Sequence, residues 1–426
     1  MNYINYQQGE LHIENQTITS LTARYPTPFY CYSANTIRDK YHKFHHAFND
    51  LNPMICYAIK ANSNQAILTL LANLGAGADV VSEGELRRAL AAGISADKIV
   101  FSGVAKTSNE IEFALNQGIF CFNVESTAEL RQISAIATRN NQIAKISLRI
   151  NPDVDAGTHA KISTGKSENK FGIPFTDALC AYQLANELTG LKICGIDMHI
   201  GSQIHNVNAF DKAIDRLAQL IEQLAEINIV INHIDFGGGL GVRYNAGDKS
   251  EQVLLKEYAK IIHKHAARLN CQFIFEPGRF ITANAGLLVT QVIHVKPVEQ
   301  KAFVIVDAAM NDLIRPTLYD AWHDITPAKE PAKEPVKSNS NQLVDIVGPV
   351  CESGDYLAKD REFSVVKAGD ILVVHSAGAY CAVSSNTYNT RRLIAEVLVD
   401  GDKDHLIRPS PSYEQLISLD TVPSWL

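Results

Sequence analysis

The sequence predicts an α/β plus all-β protein: a parallel (β/α)8 barrel of the TIM type, joined to a second, mostly antiparallel β domain. Three observations carry this. Between about residues 50 and 280, eight short apolar runs alternate with segments of helical periodicity. Polar caps and glycines punctuate those helical segments at the positions where helices start and stop. Beyond Phe280 the helical segments give way to successive strand-like runs.

Taken in order, the expected barrel strands are Met54–Ile59, Ala78–Val81, Lys98–Ser102, Ile119–Val124, Ala144–Ile150, Lys192–His199, Val230–Phe236 and Gln272–Phe275. Ser82 to Glu85, Thr107 to Glu110 and Ser126 to Glu129 fit the S/T-x-x-E capping box, which satisfies orphan amides at a helix start. Gly75, Gly93 and Gly118 follow apolar-periodic segments, where a left-handed cap favours glycine. Between Val253 and Leu269, residues Leu254, Tyr258, Ile261 and Ile262 share one helical face. Strands alternating with helices favour a closed barrel; the same count also fits an open doubly wound sheet.

In the second part, Leu287–Val295, Ala302–Val306, Gln342–Val347 and Ile371–His375 read as strands without helices between them. The strand-like first thirty-odd residues are expected to join them. The expected boundaries are residues 35–282 for the barrel, and 1–34 with 283–426 for the β domain. A low-complexity segment at about 326–342 contains two Pro-Ala-Lys-Glu copies, Pro327–Glu330 and Pro331–Glu334. Repeated proline and charge predict an exposed surface loop there.

Composition narrows the function. The chain has 426 residues, 46% of them hydrophobic, 20% charged, with a formal net charge of −7. That is a globular composition without the basic stripe of a nucleic-acid surface. No apolar stretch approaches the length of a membrane span, and the N-terminus does not read as a signal peptide. Eight scattered cysteines without a CxxC pair fit reduced thiols in a cytoplasm rather than a zinc or redox motif.

In a barrel, active residues gather where strands end. Those ends read Lys60, Asp79, Ser102, Glu125, Arg149, His199, Asp235 with Gly237–Gly239, and Glu276 with Arg279, far more polar than the strands they close. A desolvated Lys60 offers a free amine for Schiff-base chemistry, although a strand-terminal lysine more commonly points to water. Gly237-Gly238-Gly239 can form an anion-binding nest, or simply a tight turn. A carboxylate such as Glu276 favours a protonated pyridine. Arg279 suits a carboxylate or phosphate; a surface Glu–Arg pair is the plainer alternative. His199 can stack on an aromatic cofactor with Ser202 donating to a phosphate, though an isolated histidine is more often structural.

Together, Tyr57-Ala58-Ile59-Lys60-Ala61-Asn62, His199-Ile200-Gly201-Ser202-Gln203, Gly237-Gly238-Gly239 and Glu276-Pro277-Gly278-Arg279 resemble the fold-type III pyridoxal 5′-phosphate (PLP) decarboxylases. Asp312–Tyr319, Gly348–Asp355 and Gly378-Ala379-Tyr380 extend the match and resemble the diaminopimelate-specific branch. The resemblance implies that Lys60 holds PLP covalently and His199 stacks on its ring. Ser202, Gly237, Gly238, Gly239, Gly278 and Tyr380 surround the phosphate, and Glu276 meets the pyridine nitrogen. Asp79 and Arg149 support them. Arg279, Arg315, Tyr319, Glu352 and Tyr380 would hold an amino-acid substrate, and Cys351 would donate the proton to the α-carbon. Cys351 and Glu352 would enter from the partner subunit of an obligate homodimer. Two arginines and Glu352 match a substrate with a second amino-acid end, which favours meso-diaminopimelate. Another basic amino-acid or carboxynorspermidine decarboxylase is the alternative. A racemase of the same barrel would place arginine where Glu276 stands. A non-catalytic PLP-binding homologue is the rival of another class. Within Asn169–Gly172 and Thr158–Gly165 the resemblance predicts a mobile active-site loop.

Overall fold

The computed structural model describes residues 3–155, 157, 170–245, 247–330 and 341–426. The chain forms two compact units. One comprises Arg38–Arg243 and Asp248–Ile281; the other comprises the chain up to Ile37, Tyr244–Gly247 and Thr282–Leu426.

The first unit is a closed barrel. Its strands are Met54–Ala58, Gly77–Val80, Ile99–Phe101, Cys121–Val124, Ala144–Asn151, Leu191–Asp197, His233–Asp235 and Gln272–Phe275, numbered here first to eighth. Every pairing around the ring is parallel, and Gln272–Phe275 closes on Met54–Ala58. The open-sheet alternative is thereby excluded. Strands buried on both faces need continuous apolar runs, which is why they were legible. The barrel's packing includes an aromatic cluster: Phe48 stacks on Phe275 at 4.4 Å between centroids, and Phe210 meets Tyr258 at 4.6 Å.

Helix starts follow their caps, with one refinement. Thr107 and Glu110 form a complete capping box. At the helices Glu83–Ala91 and Thr127–Arg139, Ser82 and Ser126 accept from the N3 amides as expected. The N3 glutamates, however, reach one residue further back: Glu85 accepts from the Val81 amide and Glu129 from the Glu125 amide. Each thereby ties its helix to the preceding strand end. In the helix Glu251–Leu269, Leu254, Tyr258 and Ile262 are buried, while Ile261 lies at the margin.

The second unit is mostly antiparallel. Gly286–Pro297 is its long central strand, flanked by Phe29–Ser33, Ala302–Val306 and Ile371–Val374. Phe29–Ser33 also pairs in parallel with Ala395–Asp400, so the N-terminal segment is part of this sheet. Leu11, Ile18, Leu21, Phe29, Leu287, Val289, Val373 and Val397 pack into its core.

The low-complexity segment departs from expectation. Ile325–Pro327 is a strand paired with Ile371–Val374. Ala328 is 2% exposed, its amide donates to Ile371, and Lys329 bridges to Glu10. In the first Pro-Ala-Lys-Glu copy, Pro327 and Ala328 therefore belong to the edge of the sheet, while Lys329 and Glu330 are exposed as expected. Small Ala328 fits the core, and a proline on an edge strand forfeits no ladder donor. The second copy lies outside the described residues, as does most of the predicted mobile loop before Lys170.

Candidate active site

The ends of the barrel strands bring together a dense set of charges. Lys60 follows the first strand in a one-turn helix, Ile59–Ala61, and its Nζ lies 2.5 Å from Asp79 Oδ2 at the second strand. Lys60 is partly buried and Asp79 fully so. The water-facing alternative for Lys60 is thereby set aside. At the fifth strand, Arg149 Nη1 pairs with Glu125 Oε1 at 3.0 Å, and its Nε lies 4.0 Å from Asp197 Oδ2. Burial works against the Arg149 charge, but Glu125 and Asp197 outweigh it and raise its pKa.

Three carboxylates from the sixth, seventh and eighth strands, Asp197, Asp235 and Glu276, place one oxygen each within 4.8 Å of one another, all buried. Burial is the first cause that raises the proton affinity of all three; at Asp197 and Glu276 repulsion from Asp235 comes next, whereas at Asp235 the Gly237 amide opposes the rise and the Asp79 charge adds to it. Glu276 is pushed well above the usual carboxylate range, with the Lys60 charge opposing. It accepts from Asn123 Nδ2 at 3.4 Å and Ser102 Oγ at 3.5 Å, and Asn123 also donates to Ser102 at 3.1 Å.

His199 sits just past the sixth strand, partly buried. Burial and the Arg149 and Lys60 charges hold its pKa well below the ordinary histidine value. The Gly238 amide donates to its Nδ1 at 3.2 Å, which puts the proton of the neutral ring on Nε2.

The glycine turn is sterically enforced. Gly237 has φ +64°, and a Cβ there would lie 2.5 Å from the Met198 carbonyl. At Gly238 it would lie 2.3 Å from the Glu276 carbonyl, and at Gly239 2.3 Å from that of Gly201. Asp235 Oδ1 accepts from the Gly237 amide at 2.9 Å. Gly237–Gly239, Pro277, Gly278 and Arg279 line a small pocket together with Phe44, Tyr258 and Phe280. Arg279 Nη2 donates to Ser202 Oγ at 2.9 Å. Lys60, Asp79, Arg149, His199, Ser202, the three glycines, Glu276, Gly278 and Arg279 all stand in this unit.

Arg315, Tyr319, Cys351, Glu352 and Tyr380 stand in the other unit. Arg315 and Tyr319 begin and end the one-turn helix Arg315–Tyr319. Cys351 and Glu352 are exposed on a turn. Thr317 Oγ1 donates to the Gly354 carbonyl at 2.6 Å, tying that helix to that turn. Asn389 Oδ1 accepts from the Cys351 amide at 2.9 Å. Tyr380 has φ +59°, a conformation a bulky residue adopts only when its surroundings impose it.

Sequence reasoning missed Asn123 and Asp197. Both are polar residues within otherwise apolar strands, and Asp197 ends the sixth strand two positions before His199. That polar interruption was the available signal.

A charged barrel mouth with a partly buried lysine, an enforced glycine turn and a carboxylate of raised proton affinity defines a site for an anionic, aromatic cofactor. Residues 34–283 match the family model of the pyridoxal-dependent decarboxylase, pyridoxal binding domain. Diaminopimelate decarboxylase of Pseudomonas fluorescens is 49% identical over 98% of each chain, and that of Vibrio cholerae 48% identical over 99% of each. Among solved structures, diaminopimelate decarboxylase from Helicobacter pylori, complexed with L-lysine, superposes with TM-score 0.88 at 40% identity, covering 94% of this chain and 98% of that one. The M. jannaschii enzyme, also with L-lysine, gives TM-score 0.92 at 35% identity, covering 100% and 99%. The chain belongs to the pyridoxal-dependent decarboxylases, in the diaminopimelate decarboxylase branch.

Proposed function

We propose that the protein removes carbon dioxide from meso-2,6-diaminopimelate to give L-lysine, using PLP, in a homodimer whose partners share each site. The observation that carries the cofactor reading is Glu276: a buried carboxyl, crowded by Asp235 and Asp197, whose proton affinity is raised well above the usual carboxylate range. A pyridine nitrogen is the group such a carboxyl suits. The remaining residues fit PLP as well. The glycine turn, fixed by the backbone carbonyls packed against it, presents main chain without side chains to a phosphate. Ser202 and Arg279 stand hydrogen-bonded to each other as further donors toward it. Lys60 supplies the amine that holds the aldehyde, with Asp79 beside it to accept or return a proton at Nζ.

When bound, PLP supplies an electron sink for the pair left behind as the carboxylate departs. The chain's own residues do the rest. Neutral His199 offers a flat, uncharged ring face. Arg149 offsets the carboxylates around Glu276 without titrating. Arg279, Arg315, Tyr319 and Tyr380 take the substrate's carboxylates, and Glu352 its distal ammonium. The bond from the α-carbon to its carboxylate breaks, and carbon dioxide leaves. The Cys351 thiol then gives its proton to the α-carbon and recovers one from solvent. These substrate roles rest on the motifs Asp312–Tyr319, Gly348–Asp355 and Gly378–Tyr380. The exposure of Cys351 and Glu352 is what residues reaching a partner's site require. A cytoplasmic setting completes the proposal, supported by eight free cysteines. No helix among the described residues is long and apolar enough to cross a membrane.

The test is carbon dioxide release from meso-diaminopimelate, L-ornithine, L-arginine and L-lysine in parallel. Lysine formed from diaminopimelate alone, and lost in Lys60→Ala, is the expected result. Turnover of ornithine or arginine instead would keep the cofactor reading and overturn the substrate. A yellow protein that turns over none would favour the non-catalytic rival. Mixing Lys60→Ala with Cys351→Ala tests the shared site: heterodimers recover one intact site, restoring about a quarter of wild-type activity. No recovery would overturn the sharing.

A further inference from the structure

Arg315 is 7% exposed, yet among the described residues no carboxylate pairs with it. Its neighbours are instead two uncharged groups. Tyr244 presents its ring 4.6 Å from the guanidinium carbon. His323, fully buried, stands with Nε2 2.7 Å from Nη1. The direction of that hydrogen bond is fixed by chemistry. His323 Nδ1 lies 2.8 Å from the His375 carbonyl, which only accepts, so Nδ1 carries the ring's proton. Nε2 then bears a lone pair and receives an Arg315 N–H. A protonated His323 would set N–H against N–H, so the ring is neutral. Its own backbone is held as well: Arg361 Nη2 donates to the His323 carbonyl at 3.2 Å.

A buried guanidinium is normally neutralised by a carboxylate. Here the chain orients Arg315 with a neutral acceptor and an aromatic face, which fix its plane and leave its charge unspent. We propose that His323 is a positioning residue for the decarboxylation: it holds Arg315 by one N–H so that the remaining fork takes a substrate carboxylate. This rests on the reading of Arg315 as a substrate ligand. The shape of the pairing explains why histidine suits the place. Aspartate or glutamate would satisfy the geometry but quench the charge, and an aliphatic side chain would leave the guanidinium free to turn.

Four variants of the PLP-loaded enzyme, read as KM and kcat for diaminopimelate, test this. Arg315→Lys should raise KM by about tenfold or more, since an ammonium cannot grip bidentately. His323→Leu should raise KM by about tenfold with kcat changed far less, the pattern of a lost uniform binding contact. His323→Gln keeps a neutral acceptor and a donor, and should restore KM to within about threefold of wild type. His323→Glu should raise KM as Leu does, by neutralising Arg315. An unchanged KM in Arg315→Lys would overturn the substrate reading and the inference with it. A raised KM in Arg315→Lys with an unchanged one in His323→Leu would overturn the inference alone. Should His323→Leu fail to fold, the Gln and Glu variants decide: equal KM values in the two would overturn it.

Discussion

Replacing Gly238 by alanine isolates the steric demand of the glycine turn. Its φ lies outside the left-handed region, so alanine carries no backbone penalty there. The new Cβ would stand 2.3 Å from the Glu276 carbonyl, whereas real Cβ contacts essentially never fall below 3.0 Å, so the two strand ends must part by at least 3.0 − 2.3 = 0.7 Å. The Glu276 amide donates to the Gly237 carbonyl at 2.8 Å, so that seam has little slack. Overpacking of this kind costs about 1–3 kcal/mol. At about 1.4 kcal/mol per tenfold, cofactor affinity would fall by about 5- to 150-fold if the whole cost fell on binding. Any part relieved in the cofactor-free protein would appear as lost stability instead. The assay is PLP titration followed by visible absorbance, with urea unfolding of the apo-protein alongside. Gly84→Ala is the control: its Cβ would meet only Ser82 Oγ at 3.7 Å, on an exposed helix position. A Gly238→Ala protein with both affinity and stability unchanged would refute the argument that this turn excludes side chains.

Other predictions follow from the buried charges. Lys106 Nζ is 1% exposed by its side chain and donates to the Gly103 and Asn123 carbonyls and to Glu129. Lys106→Met should therefore cost about 3–5 kcal/mol in urea unfolding, and adding Glu129→Gln should recover much of it; additive losses would show that the pair is not coupled. Glu85 has its pKa raised from 4.5 to about 7, chiefly by burial. The folded state then binds the extra proton between those values, so this group's contribution falls as pH rises from about 4.5 to about 7. Glu85→Gln should gain on wild type at pH 8 relative to pH 5, and a pH-independent difference would count against the assignment. His199, held low, has the opposite sign: the unfolded chain binds its proton first, so stability falls as pH drops below about 6.5. His199→Gln should flatten that limb of the stability profile, and a limb that keeps its slope would point to other histidines.

The barrel was legible because its strands are mostly buried and the helices after Ser82, Thr107 and Ser126 announce their starts. What was not legible came from side chains that act across elements. Asn123 is an unremarkable polar residue in the chain, and only closure of the barrel brings its amide to Ser102 and Glu276. Glu85 and Glu129 look identical to Glu110 in pattern, yet burial and the neighbouring strand end draw them past their caps. Ala328 sits in a segment whose composition reads as solvated. One small apolar residue between proline and lysine suffices to anchor an edge strand, and composition averages such a residue away. His323 carried no sequence signal, because a histidine's role depends on which atoms face its two nitrogens.

The two units treat charge in opposite ways, and each treatment suits one half of the chemistry. In the barrel, Asp79, Glu125, Asp197, Asp235 and Glu276 gather around Lys60 and Arg149. Carboxylates in that excess, away from water, cannot all ionise, so protons stay with the cluster, and Asp235, Asp79 and Asp197 all act to raise the proton affinity of Glu276. A proton kept next to the place where electrons must be drawn off is what a strong sink needs. In the β unit the economy runs the other way: Arg315 is kept charged and uncompensated by a neutral imidazole and a phenol ring. On the role proposed for Arg315, a cation so held would favour an anionic group on the substrate over one whose end is only an amine. On that proposal, it is the uncompensated charge of Arg315 that argues for a dicarboxylic substrate.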